Sequence, residues 1–127
     1  MNISLSIQSR GKKNVLISVS GRLDGQTKGR FEAFTNEIIE GEPTSTSFTF
    51  DLAGLDYVSS MGLRVILVAR KKIEKKGGKM AFANLQPAVS YVIEIAKVLP
   101  DWSLFKSVEE ADAYFDSMQQ KAKRGEI

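Results

Sequence analysis

The chain has 127 residues, 43% of them hydrophobic, with 18 Lys and Arg against 15 Asp and Glu for a formal net charge of +3. Cys and His are both absent, which excludes disulfides, thiolate metal sites, histidine general bases and phosphohistidine chemistry from this chain. No stretch joins a basic start to an apolar middle as a signal peptide does, and no apolar run nears the ~18 residues of a membrane span, so a soluble, cytoplasmic, single domain over residues 1–127 is expected.

The segment ISLSIQS from Ile3 alternates apolar and polar residues, the period of a strand buried on one side. RGKKN reads as a turn, and VLISVSG from Val15 repeats the alternation, so the two predict a hairpin that ends at Gly21. RLDGQT reads as a loop, with Thr27 placed to cap a helix in which Phe31, Phe34, Ile38 and Ile39 recur at helical spacing until Gly41. After the loop EPTST, the alternation of Phe48, Phe50 and Leu52 in SFTFDLAGL predicts a strand. Asp51 keeps that strand from being buried on both faces throughout.

A helix then runs from Ser59–Ser60 to Lys76, stopped by Gly77–Gly78. KMAFAN predicts a short strand, and LQPAVSYVIEIAKV a helix with Pro87 near its first position, Val89, Val92, Ile93 and Ala96 on one side, and Pro100 at its close. Trp102 reads as loop packing, and SLF as a last short strand. SVEEADAYFDSMQQKAK opens with Ser107 and Glu110 at capping-box spacing and turns Ala111, Tyr114, Phe115 and Met118 inward, with residues 121–127 expected to be a flexible tail. Strands alternating with helices in this order predict an α/β fold: a mixed, mostly parallel sheet of four to five strands packed against about four helices.

Arg64, Arg70, Lys71, Lys72, Lys75, Lys76 and Lys79 crowd one segment. They share its helix with Leu63, Val65, Ile66, Leu67 and Val68, which favours a solvated helix face over a nucleic-acid surface. The chain carries no glycine-rich phosphate loop, metal cluster or nucleophile–base pair, so neither an enzyme nor a cofactor is expected.

The junction at Ser59–Ser60 carries more hydroxyls than a helix start requires. One serine there satisfies an unpaired backbone N–H for ~1 kcal/mol, and either residue could be that cap. Loops after the carboxyl ends of strands are also where function sits in α/β sheets. Gly62, one turn in, costs helix propensity and suits a close approach of another surface.

The stretch DYVSSMGLRVILVARKKIEKKGGKMAFANLQPAV resembles the central signature of STAS domains, the family of bacterial anti-sigma-factor antagonists. VSGRLDGQT is similar to the family's early Gly-x-Leu-Asp stretch, and GGKMAFANLQPAV and SVEEADAYF follow in family order. The resemblance implies the STAS fold and a cytoplasmic antagonist in a partner-switching pathway. The unphosphorylated form would bind an anti-sigma factor that is also a serine-protein kinase, and phosphorylation would release it, with a serine phosphatase as a further partner. Ser60 matches the family's phosphorylated serine, with Ser59 as second choice; Ser59 stands where many members have Asp, and Met61 where a smaller residue is usual. Partner contact is expected around Asp24, Thr27, Asp56, Ser59, Ser60, Met61, Gly62 and Arg64. Asp24 matches the family's Asp but could equally be a turn residue, Thr27 is also a cap, and Asp56 suits a local turn. The alternative is a docking subunit of a larger assembly, such as a lipid-transport ATPase, in which the serine does not switch. Neither nucleic-acid contact nor membrane insertion is expected.

Overall fold

A computed structural model describes residues 2–11, 13–97 and 103–125. Among the described residues nine elements follow one another: β1 (Ile3–Gly11), β2 (Asn14–Leu23), α1 (Lys28–Gly41), β3 (Ser47–Val58), α2 (Ser60–Lys75), β4 (Met80–Ala83), α3 (Pro87–Ala96), β5 (Leu104–Phe105) and α4 (Val108–Lys123). The strands form one sheet in the order β1-β2-β3-β4-β5. β1 runs antiparallel to β2 and every later neighbour is parallel, which is the mixed, mostly parallel α/β fold that the alternation of elements predicts.

Side-chain alternation sorts the sheet into two faces. Val15, Ile17 and Val19 of β2 are buried, and the register sets Val15 beside Phe48 and Ile17 beside Phe50. The Phe50 ring lies 6.1 Å from that of Phe31 on α1 and 5.9 Å from that of Phe82 on β4. Ile66, Ala69 and Ile73 of α2 belong to the same core. Each buried phenylalanine removes enough apolar surface to favour folding by roughly 2–3 kcal/mol before entropy is counted. On the other face, the Thr49 hydroxyl donates to Asn14 Oδ1 (3.5 Å), and Asn14 Nδ2 donates to Asp112 Oδ1 of α4 (3.3 Å). α4 seats Ala111 and Phe115 in buried positions. The serines of the first hairpin, Ser4 opposite Ser20 and Ser6 opposite Ser18, alternate with the buried residues.

Three boundaries differ from the sequence expectation. β2 does not stop at Gly21 but continues to Leu23. Gly21 has φ +97°, and a Cβ there would meet the Asn2 carbonyl oxygen at 2.3 Å, so glycine lets the strand bend while Arg22 N–H still reaches Asn2 O at 2.9 Å. β3 is 12 residues long, and its last pair with β4 is Asp51 with Ala83, so residues 52–58 run on beyond β4. α4 holds its helix to Lys123, past the residue where a tail is expected to begin.

Three other helix ends carry their sequence signals. Gly77 follows α2 with φ +87°, Pro87 opens α3, and Ser107 Oγ accepts from Glu110 N–H (3.1 Å) ahead of α4. Glu110 Oε1 reaches back to Lys106 N–H at 3.2 Å, one residue before the expected partner. Pro100 and Trp102 lie outside the described residues. Among the described residues no helix is long and apolar enough to cross a membrane.

Candidate functional site

β2 and β3 end level with each other: Leu23 pairs with Val58, and Ser59 N–H donates to Leu23 O at 2.9 Å. The chain after β2 therefore emerges beside the start of α2. The two serines there hold different positions. Ser59 is the N-cap, with extended backbone (φ −94°, ψ 176°), and its Oγ accepts from Gly62 N–H at 3.2 Å. Ser60 is the first helical residue, exposed, and its hydroxyl makes no hydrogen bond among the described residues. The first-turn amides of Ser60 and Met61 have no intrahelical acceptor, which leaves donors and the positive end of the helix dipole at this spot. One hydroxyl is committed to the fold and the other is free.

Gly62 is buried, and a Cβ on it would stand 2.4 Å from Leu23 O and 2.9 Å from Val58 Cγ2. The surface approaching it is the chain's own β2 end. The side-chain cap expected of Thr27 is corrected. The residue is 2% exposed, and its hydroxyl makes no cap bond to α1, because its backbone is already αR (φ −103°, ψ −10°). That hydroxyl instead donates to Arg22 O (2.8 Å) and accepts from Asp24 N–H (3.0 Å).

Asp24 closes the same turn from the other side. Its Oδ1 accepts from Gln26 N–H (3.0 Å) and Thr27 N–H (3.2 Å), the turn role weighed for it from sequence. Desolvation pushes its carboxyl up, but the bonds from Gln26 and Thr27 together with the Arg22 charge outweigh this and hold it below the ordinary carboxylate value. Arg22 Nε lies 3.7 Å from Asp24 Oδ2, and the guanidinium carbon sits 4.2 Å over the Tyr57 ring, a cation–π contact. Arg22 Nε itself is buried without a hydrogen-bond partner among the described residues. Arg22 and Tyr57 were not singled out in the sequence; only the parallel register, which sets them side by side, brings them together.

Asp56 belongs to β3 rather than to a turn. Its carboxylate is exposed and accepts from Gln86 Nε2 at 3.4 Å, while the same nitrogen donates to Ala53 O at 2.6 Å. Met61 is half-buried and Arg64 is exposed one turn below Ser60. The structure thus gathers Asp24, Ser59 and Ser60 at one end of the sheet, with Arg64 beside them and Thr27 and Gly62 beneath. Among the described residues no group of Asp and Glu side chains is placed to hold a metal ion.

Residues 6–111 match the STAS domain family, and the chain belongs to that family. It is 30% identical over 102 residues to the anti-sigma F factor antagonist of Paenibacillus polymyxa, covering 77% of this chain and 86% of that protein. It is 40% identical over 65 residues to BtrV of Bordetella bronchiseptica, a candidate anti-sigma factor antagonist; that match spans 51% of this chain and only 56% of that relative. The solved structure of the anti-sigma factor antagonist SpoIIAA in its unphosphorylated form superposes with a TM-score of 0.73 over 90% of this chain and 97% of that one, at 19% identity. At that identity the likeness establishes a shared fold.

Proposed function

We propose that this chain is an anti-sigma-factor antagonist that acts as a single cytoplasmic domain in a partner-switching pathway. Unphosphorylated, it captures an anti-sigma factor that is also a serine kinase; phosphorylated on Ser60, it lets go. The chain is the substrate of that kinase, and a serine phosphatase resets it. The observation that carries this reading is the division of labour at the junction: Ser59 Oγ is bound to Gly62 N–H while Ser60 Oγ is exposed and unengaged.

The physics suits a switch. Phosphoserine brings about −1.5 to −2 charges and three strong acceptors. At the start of α2 it meets free N–H donors and a favourable dipole, so the domain tolerates it. A partner carboxylate ~6 Å away does not, since each unit charge there costs roughly 3 kcal/mol at an effective dielectric of ~20, on the order of a hundredfold in affinity. Binding is lost without unfolding.

The test is phosphate mapping after incubation with ATP and the candidate anti-sigma-factor kinase from the same genome, with binding followed in parallel. One phosphate is expected on wild type and on Ser59→Ala and none on Ser60→Ala, with capture weakened once it is added. A stable complex with another partner, unchanged in Ser60→Asp, would replace the switch with a docking subunit.

A further inference from the structure

Ser60, Arg64, Val68, Lys71 and Lys75 follow one another at steps of three or four residues and are all exposed, so they form one stripe down the outer side of α2. At 1.5 Å per residue the stripe is about 22 Å long. Several other cations are engaged. Arg10 pairs with Glu42 (3.1 Å), Arg70 with Glu74 (3.1 Å), Lys72 Nζ donates to Asn36 Oδ1 (2.6 Å), and Lys76 Nζ donates to the carbonyls of Ile39 and Glu42. Arg64, Lys71 and Lys75 make no ion pair or hydrogen bond among the described residues, and Lys75 stands at the edge of the stripe, where it lines the groove toward α1 with Asn36 and Glu40. Between them Val68 is 37% exposed, one of four large apolar side chains left open among the described residues.

We propose that this stripe docks an acidic patch on the captured protein partner, and that a phosphate on Ser60 discharges it. The proposal rests on the capture reading above and adds where the partner lies and why it leaves. Three unpaired cations in a row around an apolar spot complement a carboxylate-rich surface with an apolar centre. A membrane is the poorer fit, because the apolar side of α2 (Leu63, Ile66, Ala69, Ile73) is buried in the core. Nucleic acid is also poorer, because Val68 interrupts the cations at the middle of the stripe, where a phosphate backbone has no apolar group to set against it. A phosphate of about −1.5 to −2 charges at the head of the stripe leaves its sum near +1. It also sits one turn from Arg64, the i, i+4 spacing at which the guanidinium turns to it instead of to a partner.

The test is the association kinetics of the full chain with the candidate kinase of the capture experiment, at low and at moderate salt. Wild type is compared with Arg64→Gln/Lys71→Gln/Lys75→Gln and with the corresponding Glu variant, and circular dichroism checks that each is folded. The association rate is expected to fall about tenfold or more in the Glu variant, less in the Gln variant, with the salt dependence of wild type flattened in both. Unchanged rates and salt slope in folded variants would overturn the stripe while leaving capture intact. Failure of wild type to bind any candidate partner would remove both. Salt-sensitive binding of wild type to duplex DNA, or salt-sensitive self-association, that disappears in the Glu variant would overturn the proposal by naming another occupant.

Discussion

At the scale of single residues, the two adjacent serines differ in what their removal costs. Ser59→Ala loses the cap bond to Gly62 and is expected to lower stability by about 1 kcal/mol. Ser60→Ala loses no bond within the described residues and is expected to stay within about 0.5 kcal/mol, both read from urea unfolding. The sequence left the cap open between them because either hydroxyl lies near the first turn; what separates them is backbone conformation, extended at Ser59 and helical at Ser60. Asp24 has its own signature in pH. Its folded-state carboxyl sits below the ordinary 3.8, so the stability it contributes is fully present above that value and is lost as pH falls through the lower, folded value. Wild type should therefore exceed Asp24→Asn in stability at pH 7, with the gap closing only below pH 3.8 in an acid series of unfolding curves.

At the scale of elements, α1 and α2 are joined by a lysine that sequence reasoning counted only as part of a basic run. Lys76 Nζ donates to Ile39 O (2.5 Å) and Glu42 O (2.7 Å), satisfying carbonyls left open at the end of α1. Lys76→Ala is expected to lower the unfolding free energy by roughly 1–2 kcal/mol, while Lys71→Ala, on the exposed stripe, leaves it nearly unchanged; chemical denaturation of the pair checks this. The seven cations crowded between Arg64 and Lys79 look alike in a sequence. They separate only when helical phase and the neighbouring helix are known: Lys72 and Lys76 bond to α1, Lys75 lines the groove between the two helices, and Arg64 and Lys71 turn to solvent. The same holds for Gly62, whose need for space was legible although the body filling it was not. That body is the Leu23 carbonyl, 39 positions earlier in the numbering but level with it in the sheet.

At the scale of the whole molecule, the order of elements was legible because each follows from local pattern: period two in β1 and β2, helical spacing in α1 and α2, and glycine or proline at the ends. Lengths were less so, because strand ends are set by neighbours. β2 passes Gly21 since Ile3 and Leu55 flank it on either side, and β3 outruns β4 since β2 alone supports its last residues. The site shared this fate. Asp24 and Ser60 came from motif, but the Arg22–Tyr57 contact between them depends on a register that no short stretch encodes.

That register has one more effect. Ser59 N–H is bonded to Leu23 O, so the serine pair hangs from the last rung of the sheet and not from a free loop. To open the site locally, the chain must break into its central pairing, and so the site keeps the quietness of the sheet. A partner arriving there meets a surface already in its final shape. The ordering entropy is spent once, when the chain folds, and not at each encounter, so that in the proposed switch capture and release turn on the chemistry of this surface and not on its refolding.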